Sequence, residues 1–390
     1  MSDKLNILAI HNYYQHRGGE DMVFEAETEA LIQAGHTVLK YTRHNEELNK
    51  FSFLQKIMFF FRSVYNTETV NAIKEILKHN NIDIAHIHNT FPLISPSIFK
   101  ILNKNNIKVV QTLHNYRFIC PNGLFYDGVA VCELCKNGNT FYCIKKKCYK
   151  SSLVFSILYA IVVKLNNRVF KNMIDRYIAL TEFTKNKFAE CGFDNSKITI
   201  KYNFIMPKEL KRGEDGGYYL YLGRISHEKG IDFLLEVFAD LKEYKLIVAG
   251  GGDLLEYYKI RYADSKNIVF TGFMSGESKE NLIINATAMI VPSICYETYS
   301  LSLAEAFAYG IPVIGSNFGG IPFLIKDGYN GVVIKDLEGL CMRLALDRLK
   351  SERDKLGDGA YQTYLDRMTP ESNIEKLITI YKEVRASSYN

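Results

Sequence analysis

Residues 218–230 read YYLYLGRISHEKG, and this stretch decides the fold. Its five apolar and aromatic residues predict a buried β-strand, and the apolar spacing of residues 231–242 predicts a helix directly after the loop. Strand, short loop and helix form the repeating unit of a parallel sheet. The loop carries Arg224 and Lys229, so two cations lie after the carboxyl end of a strand, where open parallel sheets bind their ligands.

The same alternation continues from this stretch toward both ends of the chain. We predict twelve strands, at residues 5–11, 37–42, 83–89, 109–115, 176–181, 198–203, 218–223, 245–250, 267–272, 288–293, 312–316 and 331–334. The pattern predicts an α/β protein with two Rossmann-like, doubly wound parallel-sheet domains facing across a cleft. The length of 390 residues agrees, because single cores stop growing at roughly 250 to 300 residues.

The domain boundary is predicted from composition. Residues 206–217 read MPKELKRGEDGG, which is rich in charge and glycine, as interdomain linkers are. We therefore predict an N-terminal domain at 1–205, with a cysteine-rich insert at about 116–150, and a C-terminal domain at 206–390. Residues 370–385 form an amphipathic helix at the end of the second domain, and this helix could pack on either domain.

Composition excludes several classes of protein. Apolar residues make up 47% and charged residues 23%, which indicates a globular chain, and the net charge of +5 falls far short of a dedicated nucleic-acid binder. The first residues, MSDKLN, lack a secretory signal, and the apolar run LVFSILYAIVV at 153–163 is shorter than the roughly 20 residues that span a bilayer. We expect a cytoplasmic protein without a transmembrane helix.

A second set of candidate residues follows the predicted strand at 288–293. Residues 292–306 contain Glu297 and Glu305, eight positions apart. Glu297 lies in the loop and has no evident capping role, whereas Ser302 and Glu305 would suit a capping box at the start of the next helix. The cations Arg224 and Lys229 suit phosphate at a helix N-terminus, although two solvated charges would explain them equally well. Gly251, in a run of three glycines, would admit a ligand or simply form a tight turn.

Taken together, these motifs resemble a known family. GRISHEKG at 223–230, GGGD at 250–253, the two glutamates, and the A-x-G-x-P-V-I segment at 308–314 look like the C-terminal domain of the retaining glycosyltransferases of family 4, which have the GT-B fold. RGGE at 17–20, TLHN at 112–115 and KYN at 201–203 extend the resemblance over nearly the whole chain.

The resemblance implies roles for individual residues. Arg224 and Lys229 would bind the donor diphosphate, Glu297 would face hydroxyls of the donor sugar, and His114 would line the sugar site. Donor contacts would also come from the glycines of the two loops, the backbone after Glu297, and Glu305 on the ribose, giving the set Gly18, Gly19, Gly251, Thr298, Tyr299, Ser300, Leu301 and Glu305. The donor would be a UDP- or GDP-sugar, and no catalytic metal would be required.

Two departures from the family pattern concern the site. The family commonly has Glu-Gly-Phe-Gly where this chain has ETYS at 297–300, so two glycines beside the phosphate are lost. Many relatives have His-Asp where this chain has His114 followed by Asn115, which removes a charge near the acceptor. The chemistry implied is a same-face substitution in which the departing diphosphate takes the acceptor proton, assisted by electrostatic stabilisation of the leaving group.

The insert contains five of the eight cysteines. The CxxC spacing is typical of a zinc knuckle, and two flanking cysteines would complete a structural site of Cys120, Cys132, Cys135 and Cys148. Cys143 is then spare or replaces one of them. Reduced, unligated thiols are an equally good interpretation.

Basic and apolar residues of the N-terminal domain indicate a second kind of partner. The insert carries Lys136, Lys145, Lys146, Lys147 and Lys150, and residues 51–61 are loaded with phenylalanine. Taken singly, a solvated charge run and a core helix explain these features slightly better. Together they favour peripheral contact with an anionic membrane surface at the inner face of the cell membrane.

The leading hypothesis is therefore a retaining glycosyltransferase of cell-surface polysaccharide assembly, acting on a glycan or polyprenyl-diphosphate-linked acceptor. A nucleotide-sugar epimerase of the same architecture is the alternative. A zinc-containing nucleic-acid module is a third hypothesis, which the modest charge and the lack of a groove-reading helix disfavour. We expect no nucleic-acid partner.

Overall fold

The computed structural model describes residues 4–50, 52, 62–149, 151–207 and 212–387. Within these ranges all twelve predicted strands are present. The strands are β1 Asn6–Tyr13, β2 Thr37–His44, β3 Ile84–Ile87, β4 Lys108–Leu113, β5 Arg176–Ala179, β6 Ile198–Ile200, β7 Tyr218–Leu222, β8 Lys245–Ala249, β9 Ile268–Gly272, β10 Ala288–Val291, β11 Val313–Ser316 and β12 Gly331–Ile334.

The strands form two six-stranded sheets, and every strand pair in them is parallel. The first sheet has the order β2-β1-β3-β4-β5-β6, and the second has the order β12-β11-β10-β7-β8-β9. In each sheet the strand order reverses at one point, between β1 and β3 in the first and between β7 and β10 in the second. Crevices at such reversal points are where doubly wound sheets bind ligands.

Helices connect the strands. Those before β7 are α1 Gly19–Gln33, α2 Thr67–His79, α3 Ser97–Lys104, α4 Phe141–Lys145, α5 Leu153–Asn172 and α6 Glu182–Glu190. Those after β7 are α7 Ile231–Asp240, α8 Leu255–Arg261, α9 Gly276–Ile284, α10 Leu301–Ala308, α11 Ile321–Leu324, α12 Gly339–Arg367 and α13 Pro370–Ala386. The two sheets with their helices confirm the predicted pair of Rossmann-like domains.

The chain divides into two units whose boundaries differ from the sequence-based ones. The first unit comprises residues 1–125, 132–201 and 373–390, and the second comprises 126–131 and 202–372. The change of unit after residue 201 lies close to the predicted boundary at 205/206. The predicted linker at 206–217 lies partly outside the described residues. A short antiparallel bridge, Tyr126 with Val131, belongs to the second unit although the cysteine insert around it belongs to the first.

The terminal helix α13 belongs mostly to the first unit rather than to the C-terminal domain to which we assigned residues 370–385. Its apolar face is buried, with Leu377 and Tyr381 at 0% exposure. Arg385 Nη1 lies 3.4 Å from Asp83 Oδ1, just before β3. An amphipathic pattern shows that a helix needs a covering surface but does not say which one, so this partner could be found only in the fold.

A polar network is buried in the first unit. The ammonium group of Lys201 donates to Glu27 and, over 2.7 Å, to Asn373 Oδ1 of α13. The side chains of Lys201 and Glu27 are 0% and 1% exposed. A charge so far from water requires its partner, so this ion pair fixes α1, the end of β6 and α13 together.

One helix among the described residues, α5, is long and apolar enough to cross a membrane. Its 20 residues exceed the predicted apolar run of 153–163 because the helix continues to Asn172. Tyr159, Val163 and Phe170 are buried in the unit, whereas Ile161 and Leu165 are exposed, so one face of the helix packs on the core. The phenylalanine-rich segment at 51–61 lies outside the described residues except for Ser52.

Candidate active site

The loops after β7 and β10 meet at the point where the second sheet reverses its strand order. Ile294 N–H donates to the carbonyl of Glu228 over 3.0 Å, which joins the two loops directly. Gly230 begins α7 with a φ of 71°, and a Cβ added there would lie 1.9 Å from the carbonyl oxygen of Pro292. Only glycine allows this approach, so the residue also fixes the spacing of the two loops.

Arg224 lies on the surface of the loop after β7. Its Nη2 donates to Glu228 Oε1 over 2.6 Å, and its side chain is 60% exposed. Ser226 Oγ donates to the same oxygen over 2.7 Å. Burial raises the pKa of Glu228, but Arg224 and Ser226 outweigh that and hold the pKa below its usual value. Glu228 is therefore ionised and holds the guanidinium at the edge of the loop.

Lys229 and Glu297 form an ion pair between the two loops. Lys229 Nζ donates to Glu297 Oε1, and Ser293 Oγ donates to the same oxygen over 2.7 Å. Burial alone would lower the pKa of Lys229, but the Glu297 carboxylate raises it above its usual value. The structure thus brings three predicted residues, Arg224, Lys229 and Glu297, into one cluster at the carboxyl end of the sheet.

The residues after Glu297 are packed rather than open. Thr298, Tyr299 and Ser300 are 8%, 7% and 7% exposed. Tyr299 donates through its hydroxyl to the carbonyl of Asn203 over 3.0 Å. Ser300 caps α10, accepting from Leu303 N–H over 3.4 Å. The side chains that replace the family's glycines therefore serve packing and capping, and Leu301 begins the helix.

Glu305 differs from the capping-box alternative. The helix begins two residues earlier than a cap at Ser302 would require, because Ser300 is its cap. Glu305 accepts from Lys279 Nζ over 2.7 Å, and its side chain is 12% exposed. Gly251, after β8, accepts through its carbonyl from Ile225 N–H over 2.8 Å. No atom of the described residues would lie within 4 Å of a Cβ at Gly251, so packing against them does not explain the glycine there.

In the first unit, the loop after β1 leads into α1. Gly18 N–H donates to Asp21 Oδ2 over 2.8 Å, and His11 Nε2 lies 2.7 Å from Asp21 Oδ1. Gly19 is the first residue of the helix. An acid in the first turn satisfies the free N–H groups and favours the helix dipole, so Asp21 shapes the loop that carries Gly18 and Gly19.

Three histidines of the first sheet, His86, His88 and His114, lie side by side, and two of them are hydrogen-bonded to each other. His114, after β4, has its Nε2 2.9 Å from His88 Nδ1. His86 lies 2.7 Å from the Tyr381 hydroxyl through Nδ1 and 2.8 Å from Thr112 Oγ1 through Nε2. Burial lowers the pKa of His86 to about 4 and the pKa values of His88 and His114 well below the usual one. His114 is therefore a neutral hydrogen-bonding group near pH 7.

Among the described residues, Glu27, His86 and His88 are the group whose ligand atoms lie close enough together to hold a metal ion, all within 4.8 Å of one another. Their atoms already have other contacts. Both His86 nitrogens have partners, and Lys201 lies against Glu27. A cation there would have to displace the Lys201 ammonium group from Glu27.

The cysteines of the insert lie near enough to influence one another's pKa, but among the described residues no three of their sulfur atoms lie within 4.8 Å of one another. Cys120, Cys135 and Cys143 are 7%, 6% and 1% exposed, and Cys132 and Cys148 are half-buried. Burial raises the pKa of Cys120 to about 11 and that of Cys135 to about 12, with neighbouring thiols adding to the effect. The pKa of Cys143 is also raised. A hydrogen bond with Cys148 is the main cause, and burial is the second. Cys143 is thus part of the cluster rather than spare.

Two charged residues of the first unit were not predicted as site residues. Arg117 lines a pocket with His114 and Asn115. Glu20, which follows Gly19, accepts from Tyr14 Oη over 2.9 Å and from Asn115 Nδ2 over 3.4 Å. An isolated arginine between two aromatic residues is a weak sequence signal, because its burial depends on elements distant in the chain.

Comparison with known proteins agrees with this geometry. Residues 17–209 match the family model described as Glycosyltransferase Family 4, and residues 204–342 match the model described as Glycosyl transferases group 1. An uncharacterised 41.2 kDa protein in the cps region of Klebsiella pneumoniae is 25% identical over 280 residues, which are 67% of this chain and 68% of that protein.

Two solved structures share the fold over nearly the whole chain. Sucrose-phosphate synthase from Thermosynechococcus elongatus has a TM-score of 0.73 at 17% identity, covering 98% of this chain and 100% of that chain. HepE of Anabaena in complex with UDP has a TM-score of 0.67 at 13% identity, covering 97% and 100%. At such identities the likeness establishes the fold alone.

Proposed function

This chain belongs to glycosyltransferase family 4 and is a transferase enzyme, and on that premise we propose that it transfers a sugar, with retention at the anomeric carbon, from a nucleoside-diphosphate donor to a glycan or polyprenyl-diphosphate-linked acceptor. The acceptor would be a cell-surface polysaccharide under assembly. Support comes from the relative in a cps region and from the fold shared with a protein bound to UDP.

The observation that carries the proposal is the cation pair at the reversal point of the second sheet. Arg224 and Lys229 lie on a loop directly before a helix, and each is held by a carboxylate, Glu228 or Glu297. A diphosphate arriving there would exchange for those carboxylates and gain the N-terminus of the helix as well. Glu297, released from Lys229, would accept from hydroxyl groups of the donor sugar.

The transfer step follows from these charges. The bond between the anomeric carbon and the β-phosphate oxygen breaks, the acceptor oxygen bonds to the same face of that carbon, and its proton passes to the departing phosphate. Arg224 and Lys229 stabilise the negative charge that develops on the leaving group. No step requires a carboxylate nucleophile.

Titration calorimetry with UDP, GDP and ADP tests the donor site. We expect one nucleotide to bind, and Glu305→Gln to weaken its binding by roughly tenfold, because a charged acceptor of ribose hydroxyls is lost. Glu277→Gln, in the first turn of a neighbouring helix, is the matched control. If no nucleoside diphosphate binds, the proposed donor class is wrong.

Acceptor-dependent release of nucleotide, followed by NMR assignment of the new anomeric centre, tests transfer and its stereochemistry. Inversion would contradict the retaining mechanism. Conversion of the donor sugar without an acceptor would support the epimerase alternative, which the family match does not favour.

We also propose that the first unit docks on an anionic membrane surface. Large apolar side chains are exposed at α4 and at the start of α5, namely Phe141 61%, Tyr142 37%, Leu153 48%, Val154 61% and Phe155 44%. The exposed lysines 145–147 lie between them in the chain. Aromatic and aliphatic groups beside cations suit the headgroup region of anionic lipid.

Flotation with vesicles tests this surface. Binding to phosphatidylglycerol-containing vesicles at low salt is expected, with much weaker binding to pure phosphatidylcholine. A variant with lysines 145–147 changed to glutamine should bind the anionic vesicles less, whereas Lys259→Gln in the second unit should not. Absence of binding to both vesicle types would end the proposal.

A structural zinc ion in the insert is a separate proposal, with ligands drawn from Cys120, Cys132, Cys135, Cys143 and Cys148. A zinc–thiolate bond of about 2.3 Å would place the sulfur atoms roughly 4 Å apart, so the thiols would have to draw together around the ion. Elemental analysis of the purified protein should give about one zinc per chain, reduced in Cys135→Ser. Metal-free protein with an unchanged melting temperature would refute it.

A further inference from the structure

A pocket in the first unit lies at the carboxyl ends of β3 and β4. Its wall includes His88, Asn89, Phe91, His114, Asn115 and Arg117. These strands adjoin the reversal point of the first sheet, where a ligand is expected on topological grounds. The wall combines aromatic, amide and imidazole groups with one full positive charge.

Arg117 is the unusual member of this wall. Its Nε is buried and has no hydrogen-bond partner among the described residues. The guanidinium carbon lies 5.6 Å from the centre of the Tyr14 ring and 5.3 Å from that of Phe91. Ring faces stabilise a cation but satisfy none of its five N–H groups.

The position of Arg117 is built into the fold. A Cβ added at Gly123, whose φ is +80°, would lie 2.8 Å from Arg117 Cγ. Gly123 N–H donates to the carbonyl of Cys120 over 2.8 Å. A tight turn without a side chain thus leaves room for the arginine stem.

Glu20 is the second charged group of this region. Its Oε2 accepts from Tyr14 and Asn115, whereas its Oε1 is buried and has no hydrogen-bond partner within the described ranges. Burial raises the pKa of Glu20. An additional donor at Oε1 would relieve part of that penalty.

Glu20 and Arg117 do not satisfy each other. Among the described residues no ion pair within 4.0 Å joins them, although the charges are near enough to influence each other's pKa. An opposite pair of buried charges kept apart, each with an unsatisfied atom, matches a ligand that brings both a hydroxyl group and an oxyanion.

We propose that Arg117 and Glu20 form an acceptor subsite for a sugar that carries an oxyanion, with Arg117 donating to the oxyanion and Glu20 Oε1 accepting from a hydroxyl group. The inference rests on the proposed glycosyl transfer. The oxyanion is a phosphate, as on a carrier-linked sugar, or the carboxylate of a uronic acid. The ring of Phe91, in the pocket wall, gives the sugar an apolar surface.

Ligand-observed NMR on the full-length protein tests the subsite. The nucleoside diphosphate that binds in calorimetry, taken below as UDP, is present at saturation so that phosphate probes do not occupy the donor loop. The probes are glucuronate, glucose 1-phosphate and glucose. We expect at least one anionic probe to bind and to bind at least tenfold more tightly than glucose. The stronger of the two anionic probes identifies the source of the oxyanion.

Variants then assign the binding to the two residues. Arg117→Gln should weaken the anionic probe roughly 10- to 100-fold, since a charge-assisted, bidentate contact is lost, and should leave UDP binding unchanged. Arg168→Gln, an exposed arginine of α5, is the matched control. If Arg117→Gln does not fold, Arg117→Lys serves instead. Lysine keeps the positive charge but loses the bidentate geometry, so this variant should bind the anionic probe several-fold more weakly than the wild type does.

Two outcomes would overturn the subsite. One is equal binding of the anionic probe to wild-type protein and to the Arg117 variants. The other is the absence of binding by either anionic probe to wild-type protein that has bound UDP. Failure of UDP, GDP and ADP alike to bind would count against the proposed donor class instead, so the two failures are distinguishable.

Discussion

Both units contain a lysine paired with a glutamate, but the two pairs differ in their exposure to solvent. In the second unit, Arg224 and Lys229 are 60% and 27% exposed and each has a carboxylate partner that a ligand can replace. In the first unit, Lys201 and Glu27 form an ion pair away from solvent. Similar chemistry therefore serves ligand exchange in one unit and structural integrity in the other, because burial decides how much a lost partner costs.

The largest expected effect is a loss of stability when the buried ion pair of Lys201 and Glu27 is broken. Lys201→Met leaves the Glu27 carboxylate without its partner, which should lower the free energy of unfolding by roughly 3–5 kcal/mol. Chemical denaturation measures this, and Glu27→Leu combined with Lys201→Met should recover most of the loss. Lys40→Met, which breaks a partly exposed pair with Glu25, is the control and should cost less than about 1 kcal/mol. A Lys201 effect as small as the control's would remove the contrast between the units.

Lys229→Ala should reduce activity and leave stability almost unchanged, in contrast to Lys201→Met. Loss of one group that stabilises the leaving phosphate should reduce turnover by roughly 10²–10³-fold, while the melting temperature stays close to that of the wild type. A transfer assay with thermal melts checks both quantities. Lys259→Ala, an exposed lysine paired with Glu256, should retain full activity. Near-wild-type turnover of Lys229→Ala would contradict the assignment of the phosphate loop.

Acid should destabilise the first unit in particular. The pKa of His86 in the folded unit lies near 4, below the usual value of 6.5. Between these two pH values His86 is protonated in the unfolded chain but not in the folded unit. Stability is then full above about pH 6.5 and falls toward pH 4, by on the order of 3 kcal/mol for this residue. His88 and His114 act in the same direction. Unfolding measured from pH 7 to pH 4.5 should have a weaker pH dependence in His86→Gln; an identical dependence would exclude His86 as its source.

The smallest expected effect is an increase in affinity for the nucleotide. Glu228→Gln frees Arg224 from its carboxylate and removes a negative charge beside the phosphate loop, so UDP should bind about two- to fivefold more tightly, as expected from a surface ion pair worth about 1 kcal/mol or less. Calorimetry measures this change. Glu236→Gln, which faces Arg261 at 3.5 Å, is the control. Weaker binding of UDP would mean that Glu228 positions Arg224 for the ligand rather than competing with it.

Much of the fold was predictable because the signals are local. Each β-branched or aromatic run became a strand, and the rule that ligands bind at strand ends predicted a site at Arg224, Lys229 and Glu297, which the structure places together. The partner of Glu305 was not predictable, because Lys279 comes from a different helix. Arg117 and Glu20 were missed for the same physical reason: the burial that makes their charges informative arises only when β1, β4 and the cysteine insert pack together.

The discontinuity of the first unit has a consequence during synthesis. Residues 1–201 leave the ribosome early, yet Lys201 and His86 find Asn373 and Tyr381 only after the whole second unit has been translated. The half of the protein that is made first is therefore completed last. Any attempt to produce it alone by truncation after residue 201 would omit the helix that closes its core, whereas a fusion that restores residues 373–390 would retain it.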